Sequence, residues 1–261
     1  NSTLAGALAA SKLHIKVIHI EAGLRSFNMK MPEEQNRILT DRLSSFLFCP
    51  TDHAIKNLQD EGYNSFDCTI VKSGDVMNDA ALHYAKLDKE LSFKNDKIIE
   101  GKFILATIHR AENTDSKERI EAIIKALNKI NKEIPIVMPV HPRTKNIFKN
   151  LDIECEFIQI DPVGYLDMIY LLKNCQMVMT DSGGLQKEAY FFSKNCVTLR
   201  DQTEWVELLD GGYNELVGAD EVKILAGFEK MKKSKKEFNP SLYGSGKACE
   251  VIVNTLRKDF E

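Results

Sequence analysis

The chain has 261 residues, 43% hydrophobic and 28% charged, with 35 Lys plus Arg against 38 Asp plus Glu and a formal net charge of −3. That balance suits a soluble globular protein with one or two proper cores, and it excludes disorder, a fibrous repeat and an electrostatic nucleic-acid binder. The longest apolar runs, residues 134–140 and 176–180, fall far short of the ~20 residues that span a bilayer, so no membrane partner is expected.

The chain opens Asn1-Ser2-Thr3 without an initiator Met or a signal-like segment and is expected to be cut from something longer. Residues 15–20 read as the first buried strand. Pro32 suits the first turn of a helix running to about Ser44, with Glu33 and Glu34 placed against its dipole. Strands follow at 46–49 and 68–72, and Gly62 stops a helix between them. From Asp88 to Gly101 the chain is polar and core-poor, and the domain boundary is placed there. Residues 103–108 form the next strand, and Asp115 with Glu118 suggests a capping box for a helix that carries Ile120, Ile123, Ile124 and Leu127 on one face. Further strands are expected at 134–140, 157–160, 177–180 and 196–199, a connector at 232–240 and a last helix at 246–256. This alternation predicts an α/β fold of parallel sheets covered by helices on both faces. The six cysteines, Cys49, Cys68, Cys155, Cys175, Cys196 and Cys249, form no C-x-x-C pair. They read as free thiols of a reducing, cytoplasmic compartment.

In open parallel sheets ligands bind beyond the carboxyl ends of the strands, and four such junctions carry chemistry-bearing residues. At His19-Ile20-Glu21-Ala22-Gly23-Leu24-Arg25 an acid ends a strand; it serves either chemistry or an ion pair with Arg25. At Pro32-Glu33-Glu34 two carboxylates open a helix, for catalysis or for the dipole. At Thr107-Ile108-His109-Arg110-Ala111-Glu112-Asn113 a His beside an Arg can neutralise an anionic leaving group or remain a hydrogen-bonded surface pair. At Asp181-Ser182-Gly183-Gly184, before a helix with Gln186 and Glu188, small residues let backbone N–H groups and the helix dipole approach a diphosphate, although a plain tight turn has the same composition. Neither G-x-x-x-x-G-K-[ST] nor G-x-G-x-x-G occurs, and the His residues lack metal-ligand spacing. A nucleotide-sugar diphosphate fits better than a P-loop substrate, a dinucleotide or a metal.

Taken together, HIEAGLRSF, MPEEQNRILTDRLS, TIHRAEN with Met138-Pro139-Val140-His141-Pro142, and TDSGGLQKEA with Leu199-Arg200-Asp201 resemble the non-hydrolysing UDP-N-acetylglucosamine 2-epimerases over essentially the whole chain. The resemblance implies two Rossmann-like domains with a cleft between them, GT-B-like. Residues 1–90 would be the remainder of a truncated N-terminal domain, 91–240 a C-terminal UDP-binding domain, and 241–261 a helix packing back on the first. It also implies an upstream β-α segment ending in Gly-Asp-Thr, with a catalytic Asp and a nucleotide-binding Arg.

By the same match, UDP is eliminated from the sugar and added back to invert C2. Glu21 and Glu33 would be acid–base residues and His109 would stabilise departing UDP. Ser182, Gly183 and Gly184 would hold the diphosphate, Glu188 the ribose, and Arg25 and Arg200 the substrate. Arg110, Glu112 and His141 match an allosteric UDP-GlcNAc site. The implied protein needs no cofactor, is a homodimer when full length and supplies surface-polysaccharide precursors. Where many members read T-E-R-P-E this chain has Thr203-Glu204-Trp205-Val206-Glu207, and with Gly74-Asp75-Val76-Met77 this also resembles members acting on UDP-2,3-diacetamido-2,3-dideoxyglucuronate. Epimerisation of UDP-GlcNAc, epimerisation of that acidic sugar and UDP binding without turnover are therefore the readings to separate.

Overall fold

The computed structural model describes residues 1–87, 98 and 101–260. The stretch in which the sequence places the domain boundary thus lies, apart from Ile98 and Gly101, outside the described residues. The chain forms two compact units, one of residues 1–82 with 239–261 and one of residues 83–238.

The first unit is built on a parallel sheet in the order β1-β2-β3, with β1 at Ile18–Ile20, β2 at Phe46–Cys49 and β3 at Thr69–Lys72. Helices α1 (Ser2–Lys12), α2 (Pro32–Leu43), α3 (Asp52–Asp60) and α4 (Val76–Tyr84) alternate with these strands. The local chemistry explains several ends. Pro32 opens α2 with Glu33 and Glu34 in its first turn, and Thr51 caps α3 by accepting from the Ala54 N–H. Residues 15–20 do not make the buried strand expected of them. Only Ile18–Ile20 is extended, and Ile18 and Ile20 are 37% and 42% exposed, because β1 is an edge that pairs with β2 alone among the described residues.

The last helix of this chain, α12 (Ala248–Phe260), belongs to the same unit. Ile252 and Leu256 pack on Phe46, Phe48, Val71 and Val76. Asp79 accepts from the N–H groups of Ala248 (3.0 Å) and Cys249 (2.8 Å), so a side chain from α4 caps the start of α12. Gly74, at φ +84°, lets the incoming chain pass closely: a Cβ there would lie 3.0 Å from the Tyr243 carbonyl oxygen.

The second unit holds a parallel sheet of six strands in the order β6-β5-β4-β7-β8-β9. Its strands are β4 (Ile104–Thr107), β5 (Ile136–Pro139), β6 (Ile158–Ile160), β7 (Met177–Thr180), β8 (Cys196–Thr198) and β9 (Asn214–Leu216). Between them run α5 (Ala111–Thr114), α6 (Lys117–Asn131), α7 (Pro142–Asn150), α8 (Tyr165–Asn174), α9 (Gly183–Phe191) and α10 (Val206–Asp210), and α11 (Glu221–Lys233) follows β9. Side chains alternate across the sheet. Ile104, Ala106, Ile136, Met138, Met177, Met179 and Val197 join Ile120, Ile123, Ile124 and Leu127 of α6 and Ile224 and Phe228 of α11 on one face. Phe103, Leu105, Val137, Val178 and Cys196 meet Leu171 and Leu172 of α8 and Leu185 and Ala189 of α9 on the other. Burial of each large aliphatic side chain contributes about 1.5–3 kcal/mol, which makes α6 a principal cover of its face.

Three further readings are corrected here. The cap of α6 is Ser116, whose hydroxyl accepts from the Arg119 N–H, one residue after the expected Asp115. Helix α11 extends to Lys233, into the expected connector. Strand β9 was not expected at all. The six cysteines are free, and burial pushes the thiols of Cys175 and Cys196 up to about 12, so at neutral pH they pack as small apolar groups.

Replacing Asp79 by Ala is expected to lower stability by about 1 kcal/mol, the usual worth of a helix cap. Amide exchange at 248–251 should accelerate with it; unchanged protection there would show that Asp79 does not hold α12.

Candidate active site

Taking β4 as the first strand, the second sheet has the order 3-2-1-4-5-6, and the direction of winding reverses between β4 and β7. At that switch point the two strand exits are joined by a buried acid. Asp181 follows β7 with no exposed surface. It accepts from the His109 N–H (3.1 Å to either oxygen), the Arg110 N–H (3.0 Å) and Asn113 Nδ2 (3.0 Å), and His109 Nδ1 lies 3.3 Å from Oδ1. Asn113 also donates to the Leu199 carbonyl beyond β8 at 2.9 Å. One carboxylate and one amide therefore tie together the exits of β4, β7 and β8, while the His109 side chain remains half exposed.

Immediately after Asp181 the chain turns into α9. Ser182 is the cap, with its hydroxyl accepting from the Leu185 N–H and its own N–H donating to Thr180 Oγ1. The N–H groups of Gly183 and Gly184, in the first helical turn, lack acceptors within the helix and are suited to an anion. The back of this turn is tightly packed. A Cβ on Gly183 would lie 2.7 Å from Glu204 Oε1 and 3.5 Å from Arg200 Nη1, and Arg200 pairs with Glu204 at 3.0 Å. Arg200 is 2% exposed and lies beside the turn. Further along α9, Glu188 is 6% exposed and accepts from the Tyr165 hydroxyl. Burial, then the charge and hydrogen bond of Glu188, push the Tyr165 pKa up, which keeps that hydroxyl a donor.

In the first unit, Glu21 ends β1 in the left-handed region at φ +70°. Asp41, on α2, holds the residues around it: its carboxylate takes His19 Nδ1 at 2.5 Å, the Gly23 N–H at 3.2 Å and Arg25 Nη1 at 2.7 Å. Gly23 has no alternative, since φ is +79° and a Cβ would lie 2.4 Å from the Ala54 carbonyl oxygen. Glu33 and Glu34 are separated by burial. Glu33 is exposed, whereas Glu34 has no exposed surface and accepts from the N–H groups of Ser26 and Phe27 and from Arg37. Burial alone would raise its pKa, but the Ser26 N–H, Arg37 and the Phe27 N–H together hold it below its ordinary 4.5.

The expected site residues thus divide. His109, Arg110, Ser182, Gly183, Gly184, Glu188 and Arg200 gather around the exits of β4, β7 and β8. Glu21 and Glu33 lie on a strand exit and a helix start that Asp41 and Glu34 bind together. Glu112 is exposed on α5, and His141 caps α7 with Nδ1 accepting from the Arg143 N–H at 3.3 Å. Arg25 is a correction. It is 1% exposed and its guanidinium is engaged by Glu61, Asp41 and the Leu24 carbonyl, so it is a structural cation with no donor face turned to solvent. Although burial works against its charge, Glu61 and Asp41 hold its pKa above the ordinary value. Of the two readings of the Glu21 junction, the ion pair with Arg25 is not required, since Asp41 and Glu61 hold that guanidinium. Asp181, Asn113 and Asp41 are the residues that motif reading passed over; an acid directly after a buried strand was the available signal for Asp181.

A family model described as UDP-N-acetylglucosamine 2-epimerase matches residues 1–257. The chain belongs to this family. The UDP-2,3-diacetamido-2,3-dideoxy-D-glucuronate 2-epimerase of Pseudomonas aeruginosa is 52% identical over 259 residues, covering 99% of this chain and 72% of the relative. A UDP-N-acetylglucosamine 2-epimerase of Methanococcus maripaludis is 44% identical over 272 residues, covering 98% and 72%. Among solved structures, the Methanocaldococcus jannaschii UDP-GlcNAc 2-epimerase in complex with UDP-GlcNAc and UDP matches with a TM-score of 0.86 and 40% identity, over 98% of this chain and 73% of that one. Family and structural neighbours agree with the GT-B-like α/β class read from the sequence, and members of the family are isomerases. Among the described residues no helix is long and apolar enough to cross a membrane.

Two outcomes follow from the buried acids. Asp181→Ala should cost about 3 kcal/mol or more in urea unfolding, because several buried donors lose their acceptor together. For Glu34, a folded-state pKa below the unfolded one means its contribution is present above about 4.5 and is lost as pH falls through the folded value. Glu34→Gln should therefore be less stable than the parent near neutrality and show a shallower loss of stability on acidification; parallel curves would refute the assignment.

Proposed function

We propose that this protein is a UDP-sugar 2-epimerase that interconverts UDP-GlcNAc and UDP-ManNAc without net hydrolysis, as a cytoplasmic homodimer supplying surface-polysaccharide precursors. The observation that carries the reading is the switch-point arrangement, in which buried Asp181 fixes His109 beside a Ser182-Gly183-Gly184 helix start. That is an anion cradle with a titratable group at its rim.

The chemistry explains why such a cradle matters. The C2 hydrogen of an N-acetylhexosamine is weakly acidic, so its removal must be coupled to departure of the group at C1. A carboxylate takes the C2 proton, the C1–O bond breaks, and its electron pair leaves with the β-phosphate of UDP. Re-addition of UDP with protonation on the opposite face of C2 completes the inversion. Gly183 and Gly184 N–H groups and the Ser182 hydroxyl would meet the diphosphate, and His109 would stabilise the charge that grows on it. Glu188 would hold the ribose, whose hydroxyls would share or displace that of Tyr165. Arg200 would act through Glu204 on the shape of the turn. Glu21 and Glu33 are the acid–base residues of this reading. The intermediate must be shielded from water until UDP returns. Arg110, Glu112 and His141 form the proposed second UDP-GlcNAc site, which regulates the first.

A second substrate reading has its own support: the 52% identical Pseudomonas relative is named for UDP-2,3-diacetamido-2,3-dideoxy-D-glucuronate. NMR in deuterated water separates the readings. The expected outcome is solvent deuterium incorporation at C2 and formation of UDP-ManNAc from UDP-GlcNAc, with the acidic sugar slower. Faster exchange on the acidic sugar would transfer the assignment to it. UDP binding with no exchange on either sugar would leave a nucleotide-binding protein. Glu21→Gln and Glu33→Gln should each slow exchange by about 100-fold or more, the range for loss of a positioned acid–base group, and His109→Ala by a similar factor.

A further inference from the structure

Arg119 stands where helix chemistry argues against a cation. Ser116 caps α6 and Arg119 lies in the first turn that follows, at the positive end of the helix dipole, where a basic side chain lowers stability. Its partners account for it. Arg119 Nε donates to Asn113 Oδ1 at 3.1 Å, Nη1 pairs with Asp201 at 2.9 Å, and Nη2 lies 3.9 Å from Glu112. A guanidinium can send donors in fixed directions to two such partners at once, which an ammonium on a flexible stem does not.

Of these partners, Asn113 bears on the site. It is 1% exposed, and its amide is committed on both sides: Nδ2 donates to Asp181 at 3.0 Å and to the Leu199 carbonyl at 2.9 Å, while Oδ1 accepts from Arg119. Turning the amide over would set its oxygen against a carboxyl and a carbonyl, and its NH2 group against a guanidinium. Without Arg119 the buried Oδ1 loses the donor that fixes it, and an amide that moves to find another loosens its hold on Asp181. Asp181 in turn accepts the His109 N–H, so three successive hydrogen bonds connect Arg119 to the backbone of His109. Asp201, which follows Arg200 beyond β8, holds the guanidinium from a second side.

We infer that Arg119 is a positioning residue of the reaction, which locks the Asn113 amide and thereby fixes Asp181 and the place of His109 at the rim of the cradle. This rests on the role proposed above for His109 in stabilising departing UDP. Arg119 acts through Asn113 and Asp181, without contact to the sugar nucleotide. Its effect therefore falls on the rate and not on the affinity for UDP.

The test follows deuterium exchange at C2 of whichever of the two UDP-sugars the parent turns over faster. Arg119→Met should lower kcat by about tenfold or more, because a small misplacement of a reacting group is costly to rate. Calorimetric UDP affinity should stay within about twofold, since the Gly183 and Gly184 N–H groups are untouched. Arg119→Lys keeps the charge without the two directed donors and should remain within about threefold of Arg119→Met. On a His109→Ala background, Arg119→Met should cost less than about twofold more, because both changes remove the same contribution. A merely structural arginine would cost its full factor on either background. NMR of asparagine-labelled protein adds a readout free of turnover: solvent exchange of the Asn113 side-chain amide should accelerate by about tenfold or more in Arg119→Met. The inference is overturned, with the reaction reading intact, if the parent turns over and Arg119→Met matches it, if Arg119→Lys restores the parent rate, if the loss persists on the His109→Ala background, or if the Asn113 amide exchanges as in the parent. No exchange at C2 by the parent on either sugar would overturn the reaction reading and this inference with it.

Discussion

A carboxyl group without exposed surface must recover its lost hydration from the protein, and Asp181 does so with backbone and amide donors drawn from the exit of the neighbouring strand. That requirement organises the second unit. To satisfy Asp181, the 109–113 segment must fold back over β7, which brings His109 to the rim of the helix start that follows. Asn113 extends the same constraint to β8 by reaching the Leu199 carbonyl. The rigidity of the cradle is thus a by-product of satisfying one buried carboxyl group.

The first unit uses the same device with different residues. Asp41 and Glu34 are buried on α2 and collect N–H groups and cations from the loop after β1. Their neighbours do not share that burden: Glu33, one residue from Glu34, stays exposed. In both units the buried acids stabilise the backbone, and the side chains available for chemistry stand beside them. The hydrogen bonds that hold a structural carboxylate also occupy its lone pairs, and at Glu34 they hold the pKa below its ordinary value.

Much of this was legible in the residues. Apolar runs bounded by turn signals marked most strands, and the Ser182-Gly183-Gly184 start of α9 announced itself through composition. What escaped was decided by small differences or by distant partners. Glu33 and Glu34 are indistinguishable as sequence, yet a rotation of about 100° per residue on a helix buries one and exposes the other. Ser116 caps α6 in place of Asp115, a choice between adjacent residues with the same capping chemistry. Arg25 finds its acids at Asp41 and Glu61, 16 and 36 residues on, and no local pattern reveals such pairs. Strand β9 is short and begins Asn214-Glu215, so it lacked the apolar run by which the others were recognised.

Glu21 shows what the arrangement has demanded of the sequence. At φ +70° it occupies a conformation that glycine enters freely and a residue with a Cβ enters at a cost of roughly 1 kcal/mol or more. A search for stability alone would drift toward glycine at this position. The backbone cost at this position is therefore set against whatever the carboxylate does at the strand exit, and thermal stability and the side chain present there are in tension.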